Sequence, residues 1–264
     1  MPTECGAHQY RGVDDTVADP KAGEREYYLR IGSAGREHAR RKPFADERSA
    51  HYLADLAALL MLMSPPPRAI LEFGCGSGWL ARYLARAGHE VAGLDIAPEA
   101  IQLAQEAAAA EGVSNVRFAV GDYEDATPGA YDFVLFYDAL HHAEDEAKAL
   151  AAAYAALKPG GAMIAVEPGE GHGSSDSSQK AVAEFAVHEK DMPPRRIIAL
   201  GRQAGFVRSV VLPPPHELTR TVYRQDFHRQ PTSARLWAER LWGYLRAIQR
   251  FSSQRRGGLT ILWK

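Results

Sequence analysis

The sequence predicts an α/β fold whose sheet is mostly parallel and doubly wound, with helices on both faces. Short apolar runs recur along the chain and several end in an acidic residue, as Glu90–Asp95 and Tyr131–Asp138 do. Such runs are too short for helices and suit strands that are buried on both faces of a sheet. Helical patterns lie between them, and strands that alternate with helices form parallel sheets.

Two regions precede the first predicted strand. Residues 1–45 form an N-terminal segment that is polar as far as about Gly23. This composition is typical of a chain that is disordered or lies across another surface. In residues 46–63, Leu53, Leu56 and Leu60 are spaced three and four apart, which predicts an amphipathic helix packed on the sheet.

The most informative stretch joins the first strand to a helix through Gly74, Gly76 and Gly78. A strand, a glycine loop and a helix let a nucleotide-like ligand approach the backbone closely. A dinucleotide-binding loop needs a further glycine where Trp79 stands, so this indole argues against a dinucleotide. A glycine-rich turn that binds no ligand is the alternative.

The stretch Glu72-Phe-Gly-Cys-Gly-Ser-Gly78 resembles motif I of the class I S-adenosylmethionine (SAM) dependent methyltransferases, which carry an acid followed by three alternating glycines. The resemblance covers about residues 68–211, and Leu157–Gly161 is similar to the Leu-x-Pro-Gly-Gly turn of that family. It implies a Rossmann-like sheet of seven strands with an antiparallel last strand, and SAM as the cofactor.

Acidic residues end three of the following strands. The resemblance implies that Asp95, at the end of the second strand, binds both ribose hydroxyls of SAM. It implies that Asp122, after the third strand, binds the adenine amino group. Asp138 follows the fourth strand, and ligands of open α/β sheets bind outside these strand ends. The expected cofactor-binding residues are Glu72, Gly74, Cys75, Gly76, Gly78, Asp95, Ile96, Asp122, Tyr123 and Asp138.

His141 and His142 follow the fourth strand, near the expected position of a methyl acceptor. A base with a pKa near neutrality helps when the nucleophile is a hydroxyl, so either histidine is a candidate catalytic base. A structural or cofactor-lining role is the alternative. Together with Glu144 and Asp145 the pair suggests a metal site, but ligands usually converge from separate elements, so we expect no metal here.

Two regions supply candidate substrate contacts. In many small-molecule methyltransferases an N-terminal segment closes over the site, so residues 1–45 are a candidate cap with Tyr27, Tyr28 and Arg36 as contacts. A surface helix whose aromatic side chains join the core is the alternative. The Gly- and Ser-rich loop after the fifth strand suits a mobile lid, with Glu167 and His172 as contacts, or a plain connector.

Residues 46–264 form the predicted SAM-binding domain, with an insertion at about 213–257 before the last strand. Within it, residues 232–251 predict a helix with Trp237, Leu241, Tyr244, Leu245 and Ile248 on one face. Tryptophan and arginine on such a helix are typical of an interfacial helix that approaches a membrane or a lipid-linked acceptor. Packing on the domain, or on a second subunit of a homodimer, is the commoner explanation.

The composition is that of an ordinary globular protein. The chain has 264 residues, is 46% hydrophobic and 24% charged, and carries a net charge of −2. This near-neutral balance gives no field that attracts nucleic acid, and we expect no nucleic-acid partner. The two cysteines, Cys5 and Cys75, suggest free thiols in a reducing compartment. Residues 1–20 lack the apolar core of a signal peptide, so a cytoplasmic protein is expected.

The sequence therefore favours a methyltransferase that moves a methyl group from SAM to an oxygen or nitrogen atom of a small-molecule acceptor. A SAM-binding scaffold or regulator without methyltransferase activity is one alternative. A nucleotide-dependent oxidoreductase is the other, and Trp79 disfavours it.

Overall fold

The computed structural model describes residues 19, 21–223, 233–252 and 254–264. The predictions made for Cys5 and for the polar stretch up to residue 18 lie outside the described residues. The strands are β1 (Ala69–Phe73), β2 (Glu90–Asp95), β3 (Val116–Val120), β4 (Tyr131–Tyr137), β5 (Leu157–Glu167), β6 (Arg208–Leu212) and β7 (Gly258–Trp263). The helices are α1 (Ala22–Arg30), α2 (Gly32–Arg41), α3 (Ser49–Leu62), α4 (Trp79–Arg86), α5 (Pro98–Ala110), α6 (Glu146–Ala156), α7 (Asp176–Phe185), α8 (Pro194–Ala204), α9 (Pro215–Val222) and α10 (Ala234–Ser252).

The sheet has seven strands in the order β3-β2-β1-β4-β5-β7-β6. Strands β1 to β5 pair in parallel, and β7 runs antiparallel to both of its neighbours, β5 and β6. The predicted fold is confirmed, including the antiparallel last strand. The strand order reverses between β1 and β4, and ligands of open α/β sheets bind in the crevice at such a point.

Both faces of the sheet are covered, because the buried strands are apolar on both sides. Adjacent residues of β1 point to opposite faces, so Ile70 packs toward α3 and α4 whereas Leu71 packs toward α6 and α8. Leu59 and Leu80 fill the first layer, and Leu150 lies in the second. This double cover holds the carboxyl ends of the central strands in fixed positions.

Local signals set several helix boundaries. Pro98 begins α5 at a position where its missing N–H costs nothing. The Asp145 side chain accepts hydrogen bonds from the N–H groups of Ala147 and Lys148 and so caps α6. Gly205, with φ of 111°, ends α8 in a left-handed conformation that suits glycine.

The structure differs from the prediction in the region before β7. The prolines at 213–215 suggested only a break, but Pro215 begins the additional helix α9, where proline is well tolerated. Strand β5 begins at Leu157 rather than after the Pro-Gly-Gly turn. The prediction of a helix near residues 232–251 is confirmed as α10.

Helix α10 leaves much of its apolar surface in solvent. Its described side chains include four large apolar ones that are about half exposed: Trp237, Leu241, Trp242 and Leu245. Trp237, Leu241 and Leu245 of the predicted face are therefore about half uncovered by the described residues, and packing on a second subunit stays a prediction. The side chains of Tyr244 and Ile248 lie outside the described residues. Among the described residues, no helix combines the length and the apolar character needed to cross a bilayer.

Candidate functional site

A cavity of about 450 Å³ opens at the carboxyl ends of β1, β2 and β4. This volume falls within the range of sites that bind small molecules. Gly74, Asp95 and Asp138 line it from the strand ends, and α1 and α2 form part of the opposite wall. The cavity thus lies at the crevice that the strand order predicts.

The glycine loop needs glycine for its own geometry. Gly76 and Gly78 have φ of 51° and 67°, in the left-handed region that glycine adopts most easily. A Cβ on Gly78 would lie 2.5 Å from the Phe118 ring, and one on Gly76 would lie 2.6 Å from the Tyr28 hydroxyl. Gly76 lines the cavity, whereas Cys75 is buried behind the loop. The loop therefore presents bare backbone to a ligand.

Asp95 ties the end of β2 to this loop. Its Oδ2 accepts a hydrogen bond of 2.8 Å from the N–H of Gly76, and its Oδ1 accepts one of 2.9 Å from the N–H of Ala97. Burial raises the pKa of the Asp95 carboxyl above its ordinary value. Asp95 and Ile96 both line the cavity, so the carboxylate can meet a ligand while it holds the loop.

Asp122 and Tyr123 form the neighbouring wall of the cavity. Asp122 forms an ion pair with Lys21, a residue just before α1. Burial alone would raise the pKa of Asp122, but the hydrogen bond and charge of Lys21 outweigh it and lower that pKa. The Tyr123 ring packs 5.1 Å from the Phe73 ring, which fixes its position beside the cavity.

Glu72, the acid of the glycine motif, lies behind the loop and does not line the cavity. Its Oε2 has no hydrogen-bond partner among the described residues. Burial raises the pKa of the Glu72 carboxyl to about 8. The expected direct contact of Glu72 with the cofactor is therefore not seen. Gly78 is likewise buried beneath the cavity, where it begins α4.

The N-terminal helices form one wall of the cavity. Glu24, Tyr27 and Tyr28 of α1 line it, and the Tyr27 ring packs 5.3 Å from the ring of Phe185 in α7. Arg36 does not line the cavity, because its guanidinium turns back and donates to the backbone oxygen of Tyr28 at 3.3 Å. The structure thus places two of the three N-terminal substrate candidates at the cavity.

Glu167 holds the turn after β4 in place. Its Oε1 accepts hydrogen bonds from the N–H groups of Ala139 and Leu140 at 3.0 and 2.8 Å. Its Oε2 lies 2.7 Å from Nδ1 of His141. Because Glu167 is buried beneath the turn and does not line the cavity, its role is to position His141, in place of the predicted substrate contact.

His142 lies beside His141 at the same end of the cavity, with ring centroids 4.0 Å apart. Its Nδ1 is 2.5 Å from the backbone oxygen of His188 and 3.6 Å from Oε1 of Glu24. Burial works to lower the pKa of His142, but Glu24, Glu189 and Asp138 outweigh it and raise that pKa to about 9. A protonated His142 is a hydrogen-bond donor and a poor base near neutral pH.

The same end of the cavity includes residues that the sequence analysis did not select. Glu189, on the segment between α7 and α8, lines the cavity and lies 2.6 Å from Nε2 of His172. Lys42 also lines it, and burial lowers the pKa of its ammonium. Glu24 lies close in sequence to Tyr27 and Tyr28, so the sequence could have indicated it as a candidate. No motif marks Glu189.

Asp138 adopts a backbone conformation that is uncommon for a residue with a side chain. Its φ is 54°, and its N–H donates to the backbone oxygen of Val166 at 2.9 Å. Burial would raise the pKa of Asp138, but the nearby His141, Lys42 and His142 outweigh it and lower that pKa. A strained, ionised aspartate at the mouth of a cavity is typical of a functional position.

Comparison with known proteins identifies the kind of domain that carries this cavity. A family model described as a methyltransferase domain matches residues 70–161. Phosphoethanolamine N-methyltransferase 2 of Caenorhabditis elegans is 31% identical over 149 residues, which are 54% of this chain and 33% of the relative. Ubiquinone biosynthesis O-methyltransferase of Sodalis glossinidius is 38% identical over 97 residues, 36% of this chain and 39% of the relative. The chain thus spans about a third of the length of these curated relatives.

A solved structure shares the fold. Phosphoethanolamine N-methyltransferase 2 of Haemonchus contortus, solved in complex with S-adenosyl-L-methionine, superimposes with a TM-score of 0.53 at 20% identity. The match covers 86% of this chain and 59% of that one. At this identity the likeness shows a common Rossmann-like fold.

The raised pKa of Glu72 gives a pH-dependent stability. The folded protein holds this proton up to about pH 8, whereas the unfolded chain releases it near pH 4.5, so Glu72 makes unfolding easier as pH rises between these values. Glu72→Gln removes the titration. We expect its free energy of unfolding to equal that of the wild type near pH 4 and to exceed it by about 2–4 kcal/mol at pH 8.

The measurement is urea unfolding of the ligand-free protein across this pH range. Glu90→Gln, at an exposed position at the start of β2, serves as the matched control and should leave the pH profile unchanged. A Glu72→Gln profile parallel to that of the wild type would show that Glu72 is ionised in the folded protein.

Proposed function

We propose that this chain, whose residues 70–161 match a methyltransferase-domain model, is a SAM-dependent enzyme that transfers a methyl group to a nitrogen or oxygen atom of a small-molecule acceptor. One observation carries the proposal. The glycine loop, Asp95, Asp122, His141 and His142 all line a single cavity. We assign the side of Asp95 and Asp122 to the cofactor and the side of the two histidines to the acceptor, and call these sides the cofactor end and the acceptor end.

The placement of SAM follows from the donors and acceptors at the cofactor end. The Asp95 carboxylate accepts hydrogen bonds from the ribose hydroxyls, and Asp122 faces the adenine beside the Tyr123 ring. The exposed backbone of Gly74 and Gly76 would hold the aminoacyl group. The turn that carries His141 would then lie nearest to the reacting methyl group. Support comes from the accessible carboxylates at the ends of β2 and β3.

Catalysis in this arrangement depends on orientation. Methyl transfer is an in-line displacement on the sulfonium carbon, and a protein that holds both reactants in line can contribute about 7–11 kcal/mol. Tyr27 and Tyr28 of α1 close the cavity from the side opposite the strand ends and limit the positions open to an acceptor. His142 and His141, the latter held by Glu167, line the acceptor end of the cavity.

The acceptor class is supported by the relatives. One is named for N-methylation of phosphoethanolamine and the other for O-methylation in ubiquinone biosynthesis. Both names describe small acceptors with a nitrogen or oxygen nucleophile. The cavity of about 450 Å³ agrees with acceptors of this size rather than with a folded macromolecule.

An oxidoreductase that binds a dinucleotide is not supported. The Trp79 ring is buried at the start of α4, and its centroid lies 5.5 Å from the rings of both Tyr52 and Tyr137. It fills the space that a glycine would leave for close packing of helix and strand under a pyrophosphate. The alternative is a regulator that binds SAM without transferring its methyl group. A measurement of methyl transfer distinguishes this regulator from the proposed enzyme.

Asp95→Asn tests the cofactor site. The substitution keeps the side-chain shape but removes the charge that strengthens hydrogen bonds to the ribose, worth about 1.5–3 kcal/mol. We expect SAM to bind roughly 10–150-fold more weakly by calorimetry. The wild type should transfer labelled methyl from SAM into a small-molecule fraction of a cell extract, and the variant should lose most of that transfer.

Asp132→Asn is the matched control. Asp132 also accepts a hydrogen bond from a backbone N–H, that of Ala69, but at the opposite end of the sheet. It should leave SAM affinity unchanged. Equal SAM affinity in Asp95→Asn and the wild type would remove Asp95 from the site. SAM binding without transfer to any fraction would favour the regulator, and binding of NADH in place of SAM would contradict the whole proposal.

We further propose that α10 rests on an anionic lipid surface. Its exposed Trp237, Leu241 and Trp242 form an apolar patch, and the Arg246 guanidinium lies 5.7 Å from the Trp242 ring centroid. Arg255 and Arg256, beyond the end of the helix, are exposed. Tryptophan with arginine at this spacing suits the boundary between lipid headgroups and acyl chains, where each basic residue adds about 1 kcal/mol.

Sedimentation with vesicles tests this surface. We expect the wild type to bind vesicles that contain phosphatidylserine and to bind pure phosphatidylcholine weakly. The double variant Trp237→Ala/Trp242→Ala should lose affinity at least about tenfold. Val207→Ala, which shortens an apolar side chain exposed elsewhere, is the control. The proposal would be contradicted if the wild type bound no vesicles but formed a dimer that the double variant disrupts. That result would identify a second copy of the chain as the partner of α10.

A further inference from the structure

Two imidazoles and a carboxylate converge at the acceptor end of the cavity. His141, His142 and Glu189 each offer one ligand atom, and these atoms lie within 4.8 Å of one another. We propose that this group holds a divalent transition-metal ion of the zinc or iron(II) class, with an open coordination position toward the acceptor. The sequence alone argued against a metal, so this proposal replaces that expectation.

The candidate ligands in the sequence, His141, His142, Glu144 and Asp145, all lie on one turn. The group in the structure is different, because Glu189 takes the place of Glu144 and Asp145. His141 and His142 lie on the turn after β4, and Glu189 lies on the segment that joins α7 to α8. Ligands from two segments can surround an ion, which adjacent residues alone rarely do.

The second nitrogen of each histidine is already oriented as in metal sites. Nδ1 of His141 lies 2.7 Å from the Glu167 carboxylate, and Nδ1 of His142 lies 2.5 Å from the backbone oxygen of His188. Both oxygens accept, so each Nδ1 carries a hydrogen, and a metal ion bound at Nε2 would displace the second proton of a protonated imidazole. Metal-binding histidines characteristically donate their other N–H to a carboxylate or a backbone carbonyl in this way.

The distances suit one ion. Zinc ligands lie about 2.0–2.1 Å from the metal, so two ligand atoms on one ion stand about 3–4 Å apart. Nε2 of His141 is 3.8 Å from Oε2 of Glu189. His172 supports this carboxylate, since its Nε2 lies 2.6 Å from the same oxygen. The three ligand atoms therefore need to move only slightly closer together to bind one ion.

The charges around the group favour a cation. Oε1 of Glu24 lies 3.6 Å from Nδ1 of His142, and Asp138 lines the same part of the cavity. The neighbouring Lys190 turns away and donates to the backbone oxygens of Ala143 and Glu144. Two imidazoles with one carboxylate select zinc, iron(II) and similar ions over magnesium and calcium, which prefer oxygen ligands.

An ion at this position would bind the acceptor heteroatom and lower the pKa of an acceptor hydroxyl. This role rests on the proposed function, whereas metal binding itself does not. The two histidines then act as ligands, and their Nε2 atoms are not free to act as a base. Three protein ligands with an open position are the arrangement of catalytic rather than structural metal sites.

Cobalt(II) chloride titrated into chelator-treated, full-length protein tests the inference, with visible d–d absorption as the readout. We expect one cobalt ion per chain. Glu189→Gln and His142→Ala should each weaken binding at least about tenfold. His216→Ala is the matched control, because His216 also pairs with a carboxylate, that of Asp55, outside the cavity. Its cobalt affinity should equal that of the wild type.

SAM binding, measured on the same preparations by calorimetry, shows whether each variant is folded. Absence of cobalt absorption in wild-type protein that binds SAM would overturn the metal site and leave the proposed function intact. Equal cobalt affinity in the wild type and in both SAM-binding ligand variants would overturn it as well. One cobalt ion per chain, weakened in both variants, in a protein that transfers no methyl group would support the site and overturn the proposed function.

Discussion

The site depends on the way that the central strands end. β1, β2 and β4 run parallel, so their carboxyl ends meet at one edge, and the strand order reverses between β1 and β4. Connections that leave in opposite directions open a crevice there. The glycine loop and the turn with His141 follow two of these strands. The helices packed on both faces of the sheet hold these strand ends, and with them the loop and the turn, in position.

Carboxylates at the strand ends then fix the loops around this crevice. Asp95 binds the N–H of Gly76, and Glu167 binds two N–H groups and the imidazole of the turn after β4. Burial of a carboxylate is costly, and hydrogen bonds from backbone N–H groups offset that cost. Glu72 is different, because one of its oxygens has no partner among the described residues and burial raises its pKa. Glu72, behind the glycine loop, is therefore the acid that is easily protonated, whereas Asp95 and Glu167 are held by hydrogen bonds from backbone N–H groups.

Sequence reasoning reached those features that local chemistry determines. The bounds of β2 follow from an apolar run that ends in an acid, and the structure confirms them. Features that depend on contacts between distant parts of the sequence could not be predicted. Glu167 follows a strand and looked like a substrate contact, but only the pairing of β4 with β5 shows that it lies beneath the turn of His141. Glu189 has no motif, and only the path of the chain between α7 and α8 brings it to the histidines.

The central claim is that one cavity holds SAM at one end and the acceptor at the other. A crystal structure with S-adenosylhomocysteine, the product of methyl transfer, tests it most directly. We expect the adenine beside Asp122 and Tyr123, the ribose hydroxyls on Asp95, and the sulfur atom directed toward His141 and Glu189. Adenine bound against the histidines, or the product bound outside this cavity, would contradict the account.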